Sequence, residues 1–125
     1  LVDMGEIRGF DTDNQRTWNV GIRNPQNEEA TLLTLPMQNQ AFATSGGYGT
    51  VMDEAGKFTH LFDPRTGTAE PRYRSVSVMA PTAAVADAFS TAFSIMDEAA
   101  IRTAARAKQA KVWLVMPDNR IETLA

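Results

Sequence analysis

Over the first two thirds of the chain, apolar and polar residues follow the short period of β-strands. Leu1, Val2 and Met4 form an apolar start that ends at Gly5. Trp18, Val20 and Ile22 alternate with Asn19 and Gly21, the pattern of a half-buried strand. Asn24-Pro25-Gln26-Asn27-Glu28 predicts a turn. Leu32, Leu33 and Leu35 predict the next strand, stopped by Pro36. Ala41-Phe42-Ala43-Thr44 predicts another, running into Ser45-Gly46-Gly47-Tyr48-Gly49 as a flexible loop. Asp53-Glu54-Ala55-Gly56 reads as a hairpin turn and 58–62 as the returning strand. Asp63-Pro64-Arg65-Thr66-Gly67 is a further turn, with Pro64 pre-set for its second position. Alternation resumes at 75–79, with Val76 and Val78 on one face.

After Pro81 the period lengthens. Val85, Phe89, Ala92, Phe93 and Met96 fall at i, i+4, i+7, i+8 and i+11, one face of an amphipathic helix with Thr82 as its N-cap. A second helix is expected over 98–108, with Ala100, Ile101, Ala104 and Ala105 inward. A strand over 111–116, a turn at Pro117-Asp118-Asn119 and a last strand from Ile121 complete the pattern. Strands segregated from a helical pair predict an α+β fold, a mainly antiparallel sheet packed against two helices.

Composition narrows the chemistry. The 125 residues are enough for one domain with its own core. The net charge of −3 and the lack of a basic tract argue against nucleic acid as a partner. There is no cysteine, which excludes disulfides and thiolate metal sites. A single histidine, His60, excludes a multi-histidine zinc site within one chain. No apolar run is long enough for a membrane-spanning helix, and the first residues do not form a signal peptide. The chain begins mid-pattern without an initiator methionine, the expectation for a fragment of a longer protein.

Polar residues within these elements form the candidate sites. Asp87 and Thr91, four apart on the first helix, project from one face, with Phe89 and Phe93 directed to the core. A carboxylate and a hydroxyl so spaced offer two oxygen ligands to a hard cation such as magnesium. The same pair also reads as a solvated face near a helix N-terminus, where an acid suits the dipole. His60 could act as base, acid or donor near neutral pH, or be a satisfied structural residue on its strand. Arg65 could pair with Asp63 or face a phosphate. Thr44-Ser45-Gly46-Gly47-Tyr48 places hydroxyls and open backbone amides together, suited to a ligand or to a plain connection. No Gly-Lys-Ser/Thr follows it, so it is not a Walker loop, and there is no Gly-x-Ser-x-Gly elbow.

The order of these elements resembles a known family. Thr17-Trp18-Asn19-Val20-Gly21-Ile22 comes first, then Ala43-Thr44-Ser45-Gly46-Gly47-Tyr48. Thr59-His60-Leu61-Phe62-Asp63-Pro64-Arg65-Thr66-Gly67 follows, and then Ala86-Asp87-Ala88-Phe89-Ser90-Thr91-Ala92. Together they look like the C-terminal part of the ApbE family, the FAD:protein FMN transferases once called thiamine biosynthesis lipoproteins. The resemblance covers nearly the whole chain. It departs at Met4-Gly5-Glu6, where the family usually has Gly-Gly and an acid, and at Gly47, where it has an acid or serine.

The resemblance implies a T-fold-like C-terminal portion, residues 1–125 forming a single domain without the N-terminal part found in longer family members. It implies magnesium-dependent transfer of the FMN moiety of FAD to a threonine or serine hydroxyl of a partner flavoprotein, with AMP as leaving group. Asp87 and Thr91 would then be metal ligands, and His60 and Asp87 the catalytic residues. His60, Leu61, Thr44, Asp63 and Arg65 would line the flavin-nucleotide site, with Thr66 shaping the same loop. Ser90 falls where some relatives carry an acid. The alternatives are an incomplete flavin-binding or subunit-pairing fragment, and an FAD pyrophosphatase giving free FMN and AMP. Pairing with the N-terminal part or with another copy is expected. So is a periplasmic or membrane-anchored location on the outer face of a bacterial inner membrane.

Overall fold

The computed structural model describes residues 2–3, 7–9, 16–24, 27–46 and 72–124. Among these residues, six strands form one antiparallel sheet: β1 (Val2–Asp3), β2 (Ile7–Arg8), β5 (Ala41–Gly46), β6 (Ser75–Ala80), β7 (Lys111–Val115) and β8 (Ile121–Leu124), side by side in that order. The other two, β3 (Trp18–Asn24) and β4 (Asn27–Met37), make a separate hairpin. Between β6 and β7 the chain runs through α1 (Ala83–Phe93) and α2 (Glu98–Ala107). The α+β architecture read from the sequence is the one observed, with mainly antiparallel strands and two helices.

Strand alternation builds two cores, one on each face of the sheet. Ala41, Ala43, Val76, Val78, Val112 and Leu114 point to the helices and pack with Ala86, Phe93, Ile101 and Ala105. Phe42, Met79, Trp113 and Val115 point the other way and pack with Val20, Ile22 and Met37 of the hairpin. The sheet is thus covered on both sides, which is why every residue of β6 is buried. Where the hairpin closes on the sheet, Gly9 leaves room for an aromatic ring. A Cβ there would stand 2.8 Å from Cε3 of Trp18, closer than carbon atoms pack.

The helices begin as their sequences dictate. Thr82 is extended and its hydroxyl accepts from the Val85 amide at 3.3 Å. Asp97 caps α2 in the same way, accepting from the Ala100 amide at 2.8 Å. A rigid corner joins them: the buried Tyr73 hydroxyl donates to the Met96 carbonyl at 2.7 Å. Burial holds the Tyr73 phenol above its ordinary value.

Four local expectations need correction. The hairpin is tighter than a five-residue turn, because Asn24 pairs with Asn27. β4 also continues through Pro36 to Met37. Among the described residues β4 pairs with β3 alone, and a strand with one neighbour leaves half of its N–H groups outside the ladder, so a proline is tolerated on it. Ser45 and Gly46 belong to β5 rather than to a loop, paired to Val76 and Ser75. On α1 the buried positions are Ala86, Ser90 and Phe93, while Ala92 is exposed. Periodicity alone favoured the apolar Ala92. A serine can take the buried place because β5 supplies it with a hydrogen-bond partner.

Candidate functional site

The end of β5 meets the middle of α1 through hydroxyl groups. Ser45 alternates with Ala43 and therefore faces the helices. Its Oγ lies 2.9 Å from Oγ of Ser90 and 3.2 Å from Oγ1 of Thr91. Ser90 is fully buried, and its hydroxyl donates to the Asp87 carbonyl at 3.0 Å. The Ser90 carbonyl in turn accepts from the Ser94 hydroxyl at 2.8 Å, where α1 ends. Below this polar seam, Phe89 and Phe93 stack with ring centroids 4.8 Å apart and hold the helix on the core.

Asp87 and Thr91 both stand on the exposed side of α1. Asp87 lies beyond the first turn, which contains no acid, so favourable interaction with the helix dipole does not account for it. A carboxylate and a neighbouring hydroxyl are hard oxygen donors. Their chemistry fits magnesium, which takes one or two protein carboxylates and fills its shell with water and substrate phosphate. Among the described residues no three His, Cys, Asp or Glu side chains gather into a metal cluster.

Thr44 points to the other face of the sheet. Its Oγ1 lies 2.8 Å from Oγ of Ser77, on the side of the hairpin. Beside that pair, Ser75 Oγ is buried without a hydrogen-bond partner among the described residues. The two neighbouring hydroxyls of β5 thus serve different faces, and of the two it is Ser45 that reaches α1, at Ser90 and Thr91. His60, Leu61, Asp63, Arg65 and Thr66 lie outside the described residues. The sequence showed Ser45 only as one hydroxyl in a loop. Its link to α1 appears once its strand register is known, because neither residue carries a pattern that names the other.

The chain matches the ApbE family over residues 1–114. It is 31% identical over 125 residues to the FAD:protein FMN transferase of Haemophilus influenzae, covering 95% of this chain and 36% of that protein. It is 31% identical over 105 residues to the FAD:protein FMN transferase of Escherichia coli strain K12, covering 82% of this chain and 30% of that protein. The chain therefore spans about a third of the length of these curated relatives. Among solved structures, the ApbE protein of Thermotoga maritima superposes with a TM-score of 0.80 at 26% identity, over 96% of this chain and 40% of that one. The flavin transferase ApbE of Vibrio cholerae gives 0.64 at 28% identity, over 97% of this chain and 40% of that one.

Proposed function

The chain belongs to the ApbE family, and from that membership and the α1 seam we propose that it supplies the metal-binding part of an FMN transferase. The reaction moves the FMN moiety of FAD to a threonine or serine hydroxyl of a partner flavoprotein. The acceptor oxygen forms a bond to the FMN phosphorus, the bridging P–O bond of the pyrophosphate breaks, AMP leaves with that oxygen, and the hydroxyl proton is released. Such phosphoryl transfers depend on positioning and charge neutralisation more than on covalent help from the protein.

The observation that carries this reading is the joint exposure of Asp87 and Thr91 beside a part-buried hydroxyl seam. Asp87 and Thr91 would hold magnesium. The ion, when bound, would offset the negative charge of the pyrophosphate and of the leaving phosphate. The chain's own residues fix the donors. Phe93 and Ser90 pin the inner face of α1, so the Asp87 and Thr91 side chains have a settled base. Gly46 and Ser75, which flank the stretch containing His60, pair with each other beside Ser45. By family resemblance, His60 would assist loss of the acceptor proton. Leu61, Asp63 and Arg65 would contact the nucleotide.

The test uses the intact protein with FAD, magnesium and a candidate acceptor flavoprotein. Acceptor-bound FMN with matching AMP supports the transferase. Free FMN with AMP instead supports the pyrophosphatase reading, and FAD left intact under all these conditions overturns both.

A further inference from the structure

We propose that Ser45 is a positioning residue for the Thr91 hydroxyl, turning its proton inward and its lone pairs toward the exposed side of α1. This rests on the reading of Asp87 and Thr91 as ligands of a divalent cation. A serine or threonine hydroxyl has one proton to donate and lone pairs to accept with. Ser90 Oγ lies 3.0 Å from the Asp87 carbonyl oxygen, which can only accept, so the Ser90 proton is used there. In its 2.9 Å contact with Ser45, Ser90 must then be the acceptor and Ser45 the donor. That uses the single Ser45 proton. In the 3.2 Å contact between Ser45 and Thr91, the donor is therefore Thr91.

The three hydroxyls form one directed chain, from Thr91 to Ser45, to Ser90, to the Asp87 carbonyl. It ends on the backbone of the same residue whose carboxylate stands on the exposed face. Ser94 does not compete, because it donates to a different acceptor, the Ser90 carbonyl. A neutral hydroxyl binds a cation through a lone pair, and a proton pointing at the cation would oppose it. Without Ser45, the Thr91 proton loses its acceptor on β5 and is free to turn to the ligand side. Residues one step removed from a metal act in this way, fixing the orientation of the ligand itself.

The experiment measures Mn2+ binding to the intact protein by electron paramagnetic resonance of the free ion, in the presence of FAD. It compares the unchanged protein with Ser45→Ala, Ser45→Thr and Asp87→Ala. The expected result is a dissociation constant raised about tenfold by Ser45→Ala, the lower end of the range for an outer-shell change. Ser45→Thr, which keeps the hydroxyl, should restore affinity close to that of the unchanged protein. A circular dichroism spectrum matching that of the unchanged protein accompanies each variant, and Ser45→Thr remains informative if Ser45→Ala does not fold. Unchanged Mn2+ affinity in Ser45→Ala with weakened affinity in Asp87→Ala overturns the role of Ser45 and leaves the metal reading standing. So does a loss in Ser45→Ala that Ser45→Thr fails to restore. Unchanged affinity in Asp87→Ala overturns the metal reading, and the positioning role with it.

Discussion

Replacing Ser90 with alanine separates the structural duty of the α1 seam from its chemistry. Ser90 is fully buried, its hydroxyl bridging Ser45 at 2.9 Å and the Asp87 carbonyl at 3.0 Å. Removing one oxygen opens little volume, so the cost is chiefly that of lost hydrogen bonds. Each contributes roughly 0.5–1.5 kcal/mol net. The Asp87 carbonyl keeps the α-helical ladder, and part-buried Ser45 keeps Thr91, which limits the penalty for unpaired groups. The expected loss is therefore about 1–2 kcal/mol. For a cooperative unit of 125 residues, that lowers the melting temperature by roughly 4–8 °C. Urea titration at 25 °C, followed by the fluorescence of Trp18 and Trp113, measures the change. Combining it with Ser45→Ala in a double-mutant cycle isolates the bridge between β5 and α1. The coupling should be about 1 kcal/mol, because whichever partner is removed first ends the contact. Strict additivity of the two changes, or no loss in Ser90→Ala, would refute the seam as a link between sheet and helix.

Three further outcomes follow from other parts of the fold. Thr82→Ala removes the N-cap bond to the Val85 amide and should cost about 1 kcal/mol in the same urea titration, whereas Thr82→Asn should recover most of it. Ser75→Ala deletes a buried hydroxyl that has no partner among the described residues and should leave stability unchanged or raise it by up to about 1 kcal/mol; a clear loss would mean that the hydroxyl is satisfied. Burial raises the Tyr73 pKa above its ordinary value of about 10, so the folded state favours the neutral phenol. Its contribution is complete below that ordinary value and is lost as pH rises through the folded one. Tyr73→Phe should flatten the alkaline decline of stability above about pH 10, measured by urea midpoints against pH, while costing about 1 kcal/mol at neutral pH for the lost bond to Met96.

Much of the scaffold was legible because burial on a sheet or helix imposes a period. Trp18, Val20 and Ile22, Val76 and Val78, and Ile101 and Ala105 all lie where alternation or helical spacing put them. Thr82 was legible as a cap for the same reason, since a hydroxyl before an amphipathic run satisfies amides left open at a helix start. Pro36 misled because a missing N–H matters only where a neighbouring strand needs it, and edge position is a tertiary property. Ser45 and Ser90 were opaque for a related reason. A buried serine carries no hydrophobic signal, and its place depends on a partner 45 residues away. Asp87 and Thr91 could be read as a pair at helical spacing, yet their spacing alone did not separate a metal site from a solvated face. The position of Asp87 beyond the first turn weighs against the dipole explanation.

The central claim is that the Asp87 carboxylate supports transfer of FMN to a protein hydroxyl. The most direct measurement is the intact mass of the acceptor flavoprotein after incubation with FAD, magnesium and the intact protein. The parallel reaction uses Asp87→Asn, which keeps the shape of the side chain and removes its charge. One added FMN moiety on a threonine or serine is expected with the unchanged protein, and an unmodified acceptor with the folded variant. Equal modification by both proteins would contradict it.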